Sequence, residues 1–210
     1  MTQWVERPEL GRDRGPVALV RAWIEVLVRP GTFFASKVAP GDQTPGLTFA
    51  AAVVLAGEGA RIAVFDGSYP VVSGQPLASA VLWLLIVTVL IAPAGIHLTA
   101  ALQTVILVAT VEERAGVSET VQVICYALAP VVFVGVPSPA ITSLVVVYGI
   151  TLLVLGTATV HRVPVTTAVA VAAVPAILVF GYGFGGNEAL LSTAESVWAW
   201  VEPQVEALVG

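Results

Sequence analysis

Charged residues are scarce in this sequence, and long apolar runs take their place. Only 11% of the residues are charged and 57% are hydrophobic, whereas soluble domains carry about 25% charged residues. This composition excludes a water-soluble globular domain. The apolar runs are unbroken, while the strands of a membrane barrel would alternate apolar and polar residues. We therefore predict an all-α, polytopic helical membrane protein.

Cysteine and histidine are also rare, and this excludes several kinds of site. Cys125 is the single cysteine and there are two histidines, so no intramolecular disulfide or cysteine-rich zinc site can form. Residues 181–186 satisfy G-x-G-x-x-G, but no strand–helix–strand unit surrounds them, as a dinucleotide site requires. No nucleophile–base motif is recognisable either. We expect no enzymatic activity, no cofactor and no metal.

Basic residues are few, and nearly all of them are arginines. Lys37 is the single lysine against eight arginines, and the net charge is −5. Nucleic-acid binding requires a clustered basic face, and none exists beyond the N-terminal arginines, so we expect no nucleic-acid partner. The lysine-poor, acidic composition suggests a halophilic source, because concentrated salt screens surface repulsion.

The longest apolar run sets the architecture. Leu77–Val111 comprises 35 residues without one formal charge, whereas a single span needs about 20. The run is therefore either one long tilted helix, kinked at Pro93, or two short spans that fold back at residues 92–95.

If residues 77–111 are counted as one crossing, the sequence predicts five transmembrane helices within a membrane domain at residues 47–184. The preceding residues 1–46 form a lead with a flexible start, and residues 185–210 form an acidic tail. The five predicted spans are 47–65, 77–111, 119–136, 140–160 and 164–183.

The arginines predict how these spans are oriented. Six of the nine Lys and Arg residues precede the first span: Arg7, Arg12, Arg14, Arg21, Arg29 and Lys37. If residues 77–111 cross once, Arg114 and Arg162 join them on one side, as the positive-inside rule requires. We expect one crossing, a cytoplasmic N-terminus and a C-terminus outside the cell membrane.

An amphipathic helix is predicted at residues 16–29, followed by a short helix at 31–39. Arg21, Glu25 and Arg29 are four residues apart and form a charged stripe opposite apolar positions. Such a helix either lies in the membrane surface or packs on the cytoplasmic end of the bundle. In the first case Trp23, Phe33 and Phe34 insert among headgroups while the arginines contact anionic lipid.

A second amphipathic element is predicted in the tail. Four glutamates fall on one helical face and apolar residues fill the other. We expect this element to lie on the outer membrane surface with Trp198 and Trp200 at headgroup level, and to bend or break at Pro203.

Glu58 and Arg61 are charged residues inside the first predicted span. They are three residues apart, which places both on one helix face. The pair is read either as a structural ion pair near the interface or as part of a proton or ion pathway.

Two short motifs resemble those of the Yip-domain membrane proteins, which are named after Ypt/Rab-interacting proteins. Residues 29–34 (RPGTFF), with Pro30, Phe33 and Phe34, are similar to the proline–aromatic pair that precedes the family's first span. Residues 123–130 (VICYALAP), with Tyr126, Ala127 and Pro130, resemble the tyrosine–alanine–proline signature of its third span. The likeness covers roughly residues 25–185. Relatives often carry a glycine pair in the loop at 112–118, where this chain has only Gly116.

The resemblance implies a non-enzymatic membrane adaptor, here of a prokaryotic type, which acts in membrane organisation or trafficking. Its partners are then the lipid bilayer and an unidentified protein, with a small GTPase implied by family analogy only; a homo-oligomer is compatible with the sequence. The alternative function is a small transporter or channel subunit that uses Glu58 and Arg61.

Overall fold

The computed structural model describes residues 6–7, 11–12, 15–38 and 40–209. Two short strands, β1 (Glu6–Arg7) and β2 (Gly11–Arg12), pair antiparallel near the N-terminus. Residues 1–5, 8–10 and 13–14 of the predicted flexible start, which include Arg14, lie outside the described residues.

The remaining regular structure of the described residues is helical. Several helices have a proline in the first turn, where its missing N–H is not needed. In chain order the elements are α1 (Pro16–Val28), α2 (Pro30–Lys37), α3 (Thr44–Val64), α4 (Pro76–Leu85), a π-helical segment (Ile86–Ile91), α5 (Ala92–Thr110), α6 (Val117–Ala127), a 3₁₀ helix (Ala129–Phe133), α7 (Pro139–His161), α8 (Val165–Ala176), a second π-helical segment (Ile177–Gly183) and α9 (Gly186–Val209).

Four helical stretches of the described chain are long and apolar enough to cross a membrane: 44–64, 76–110, 139–161 and 165–183. The chain is thus a multi-pass membrane protein by helix length and composition. The count of five crossings stays a prediction, because the element at 119–136 is shorter and differently built.

The run at 76–110 is helical throughout, so the chain does not fold back at residues 92–95. The π-helical segment ends just before Pro93. There the Ala92 N–H donates to the Val87 carbonyl, five residues back. A proline ring clashes with the carbonyl four residues earlier, and the wider π turn accommodates that ring without breaking the helix.

The element at 117–133 is the centre of the bundle. α6 ends at Ala127 and a 3₁₀ helix continues to Phe133, so the two pieces together extend about 25 Å. Every residue from Glu119 to Val131 is buried, because α3, α5 and α7 pack around it. Protein rather than lipid surrounds this element, which explains why it tolerates polar residues such as Thr120, whose Oγ1 lies 3.3 Å from His161 Nε2.

The tail forms α9, which continues through Pro203; the helix therefore does not break at that proline, and a bend there stays a prediction. The first half of the helix packs along α7, where Thr193 Oγ1 lies 3.0 Å from Ser143 Oγ. Trp198 and Trp200 are 62% and 69% exposed. A membrane-surface position for them remains a prediction.

Candidate functional site

The two family-like motifs meet in one aromatic cluster, formed by Phe33, Phe34, Phe49 and Tyr126. The Tyr126 ring centroid lies 4.8 Å from that of Phe33 and 5.1 Å from that of Phe49, both edge to face. Phe33 and Phe34 are 5.9 Å apart. All four side chains are buried, so the cluster joins α2 to α3 and to the central α6.

A glycine on α7 makes room for this cluster. A Cβ at Gly156 would lie 2.9 Å from Phe34 Cε1 and 2.8 Å from Val123 Cγ1. Only glycine leaves space for the ring to reach the α7 backbone at this distance. The sequence shows no signal for this contact, because Gly156 is far from Phe34 along the chain.

The alanine–proline part of the second motif anchors α1. Pro130 has no backbone N–H to continue an α-helix, and the chain changes there from α6 to the 3₁₀ helix. The Ala129 carbonyl accepts a hydrogen bond of 2.8 Å from Trp23 Nε1. The Trp23 ring also packs against Phe133, with centroids 5.9 Å apart.

A second anchor ties the end of α1 to α7. The Tyr148 hydroxyl donates to the Leu27 carbonyl. Tyr148 is the tenth residue of α7, about 14 Å from its first residue and about 20 Å from its last. α1 is therefore packed against the side of the bundle, neither free in the membrane surface nor on the bundle's end.

These contacts correct the interpretation of two membrane-interface residues. Phe33 is 0% and Phe34 2% exposed, so their rings face the protein core and not headgroups. Trp23 is half-buried by the contacts just described. Of the predicted interface residues of α1, Arg21 and Arg29 are exposed.

α1 nevertheless keeps an apolar stripe that no described residue covers. Ala18, Ala22 and Val26 are fully buried against the bundle. On another face of the helix four residues are between 49% and 70% exposed: Val17, Val20, Ile24 and Val28. We call these four residues the α1 stripe.

Glu58 and Arg61 form an ion pair. Arg61 Nη2 lies 2.7 Å from Glu58 Oε2, and Arg61 Nε lies 3.1 and 3.2 Å from the two carboxylate oxygens. Glu58 is 8% exposed. The bidentate geometry compensates the buried charge, as a structural pair requires.

Two cavities adjoin this pair. A cavity of about 510 Å³ is lined by both members of the pair together with Ser68, Thr142, Tyr182 and Glu188, among others. We call it the polar cavity after these side chains, although about half of its lining is apolar. A smaller cavity of about 170 Å³ lies between α3, α5 and the two π-helical segments and is mostly apolar. Glu58, Gly183 and Phe184 line both cavities. The spacing of Glu58 and Arg61 predicts the pair but not its surroundings, which come from distant parts of the chain.

A third and larger cavity, of about 850 Å³, lies at the other end of the bundle. Charged residues of the 112–116 loop and of the ends of α6 and α7 line it: Glu112, Glu113, Arg114, Glu119 and Arg162. We call this region the charged end. Among the described residues, no group of three or more His, Cys, Asp or Glu side chains is placed to hold a metal ion.

The Trp23 anchor predicts a moderate loss of stability in Trp23→Phe. The variant keeps an aromatic ring but removes the indole donor to Ala129, which costs about 1 kcal/mol. Equilibrium unfolding in mixed detergent micelles measures the change in unfolding free energy. Trp198→Phe, at an exposed site, is the control. Equal losses in the two variants would contradict a role for the hydrogen bond.

Comparison with known proteins bears on the same elements. The Yip1 domain model matches residues 24–186, close to the 25–185 expected from the two motifs. No curated protein and no solved structure matches the chain. The matched range covers well over half of the sequence and includes the aromatic cluster and the Glu58–Arg61 pair, so this multi-pass membrane protein belongs to the Yip1 domain family.

Proposed function

We propose that the chain is a non-enzymatic scaffold in the cell membrane that uses helix α1 to organise lipid and holds a protein partner at the charged end. The observation that carries the proposal is the α1 stripe. α1 is fixed to the bundle through Trp23 and Leu27, yet it leaves four apolar side chains uncovered. A helix held in this way presents its stripe to lipid without first having to be ordered.

The exposed arginines of α1 support a lipid-facing role. Arg21 and Arg29 lie beside the stripe, and long basic side chains extend their charge toward phosphate groups while their stems stay on apolar surface. Attraction between such arginines and anionic lipid adds to the burial of the apolar residues. The two effects together would hold α1 in the lipid next to the bundle.

The experiment reconstitutes the full chain into anionic liposomes and follows vesicle diameter by electron microscopy. We expect the wild-type chain to narrow the vesicles and Val20→Asp to restore the diameter of protein-free vesicles, because a carboxylate is costly in lipid. Val71→Asp is the matched control, since Val20 and Val71 are 52% and 53% exposed and Val71 lies in the loop between α3 and α4. If Val20→Asp reduced the vesicle diameter as much as the control variant, that result would contradict the proposal.

The orientation is part of the proposal. The charged end carries Arg114 and Arg162, which favours the cytoplasmic side for this end. A reporter fused after Gly210 should therefore be active outside the cell when five spans are crossed, and a reporter inserted at Gly116 should be active in the cytoplasm. A cytoplasmic signal from Gly210 would contradict the topology.

We place the protein partner at the charged end, where a cavity with side chains of both signs suits a charged protein surface. The family relation is the only argument for a small GTPase. Co-purification in mild detergent, compared between the wild type and Arg114→Glu/Arg162→Glu, identifies the partner by its loss from the variant.

The transporter alternative is not favoured. Arg61 is three residues from Glu58 on one helix, and the pair satisfies its charges internally. Ion flux in proteoliposomes that disappears in Glu58→Gln would support that alternative over the scaffold.

A further inference from the structure

The geometry around Glu58 points to a binding site for a small organic cation that carries one apolar group of about the size of benzene. This inference is independent of the scaffold role, because no residue of α1 or α2 lines either cavity.

The site joins two chemically different cavities at one carboxylate. Glu58 lines both the polar cavity and the apolar cavity, as do Gly183 and Phe184 in the segment that follows α8. A ligand with its charged head in the polar cavity, beside Glu58 and Glu188, would place its apolar group in the adjoining apolar cavity.

The charges select a cation. Of the charged residues that line the two cavities, Glu58 and Glu188 are acidic and Arg61 is basic. Arg61 is hydrogen-bonded to Glu58, and no described residue forms an ion pair with Glu188. One negative charge is thus left over, which attracts a cation and repels an anion.

Aromatic rings favour an organic cation over a metal ion. Phe65, Tyr182 and Phe184 line the polar cavity, and aromatic faces attract alkylated ammonium groups. A metal ion would need several oxygen ligands at close range, whereas one of the two carboxylates here is already bound by Arg61.

The volume of the apolar cavity indicates the size of the apolar group that it can hold. Its volume is about 170 Å³, comparable with an engineered cavity of about 150 Å³ that binds benzene. Its lining includes Val87, Ile96 and Leu178, which offer no polar partner. A single phenyl ring or a short branched alkyl group therefore matches this space.

Equilibrium dialysis tests the inference, with benzyltrimethylammonium as the probe. The purified full chain is placed in nanodiscs of phosphatidylglycerol, a lipid that contains no amine. We expect saturable binding of one equivalent. Tetramethylammonium, which lacks the ring, should bind about tenfold more weakly or worse, and phenylacetate should not bind saturably. Equal binding of the probe and phenylacetate would overturn the proposal.

Two pairs of variants separate the two halves of the site. Glu188→Gln removes the uncompensated charge from an exposed position and should weaken binding of the probe about tenfold, while Glu195→Gln, which lines neither cavity, should not. Gly95→Leu adds a side chain where a Cβ meets no atom within 4 Å, beside the apolar cavity. It should weaken binding of benzyltrimethylammonium but not of tetramethylammonium.

Gly59→Leu is the matched control, since a Cβ at Gly59 also meets no atom within 4 Å and Gly59 lines neither cavity. Unchanged binding of the probe in both Glu188→Gln and Gly95→Leu would overturn the assignment.

Discussion

Replacing Phe33 with alanine should lower the unfolding free energy by about 3 kcal/mol, the low end for loss of a buried phenyl ring. The low end applies because the driving force inside a bilayer is packing and not transfer from water. Phe33 is fully buried and its ring contacts both Phe34 and Tyr126, so the variant leaves a cavity in the centre of the aromatic cluster.

Unfolding in mixed detergent micelles measures this loss, and protease cleavage within α1 and α2 measures whether these helices detach. We expect faster protease cleavage of Phe33→Ala, since the cluster contains both buried residues of α2, Phe33 and Phe34. Phe65→Ala is the control, because Phe65 is 37% exposed and belongs to another helix end. Slow cleavage in Phe33→Ala at wild-type stability would show that the cluster does not hold the N-terminal helices.

Gly57→Leu should be comparably damaging, with a loss of about 3 kcal/mol from overpacking. A Cβ at Gly57 would lie 2.6 Å from the Val131 carbonyl oxygen, a backbone atom that cannot move aside like a flexible side chain. The opposite surface is as tight, since a Cβ at Gly135 would lie 2.4 Å from Ala60 Cβ. α3 and the chain around the 3₁₀ helix therefore approach through small residues, as membrane helices commonly do.

The same measurement on Gly59→Leu provides the comparison. Gly57 and Gly59 share one helix, but a Cβ at Gly59 meets nothing within 4 Å, so this variant should unfold like the wild type. Similar losses in both variants would indicate a general cost of leucine in α3, and the close contact with Val131 would not be its cause.

Several features of the fold follow from short stretches of sequence. The apolar runs predicted the helices that can cross a membrane, and the Glu58–Arg61 pair follows from a spacing of three residues on a helix. The proline–aromatic and tyrosine–alanine–proline motifs indicated the Yip1 domain family, which the family comparison confirmed. In each case the information lies within one or two turns of helix or in the order of motifs along the chain.

Only the tertiary structure decided which apolar surfaces face protein. Hydropathy does not separate a phenylalanine that contacts the membrane from one that is buried in protein, because both environments favour an aromatic ring. The sequence therefore predicts headgroup contacts for Phe33 and Phe34, whereas in the structure they contact Tyr126 and Gly156. The central position of α6 and the cavities beside Glu58 have the same origin. They depend on residues brought together from distant helices. A sequence pattern reports local periodicity and polarity, and it does not predict which helices pack against each other.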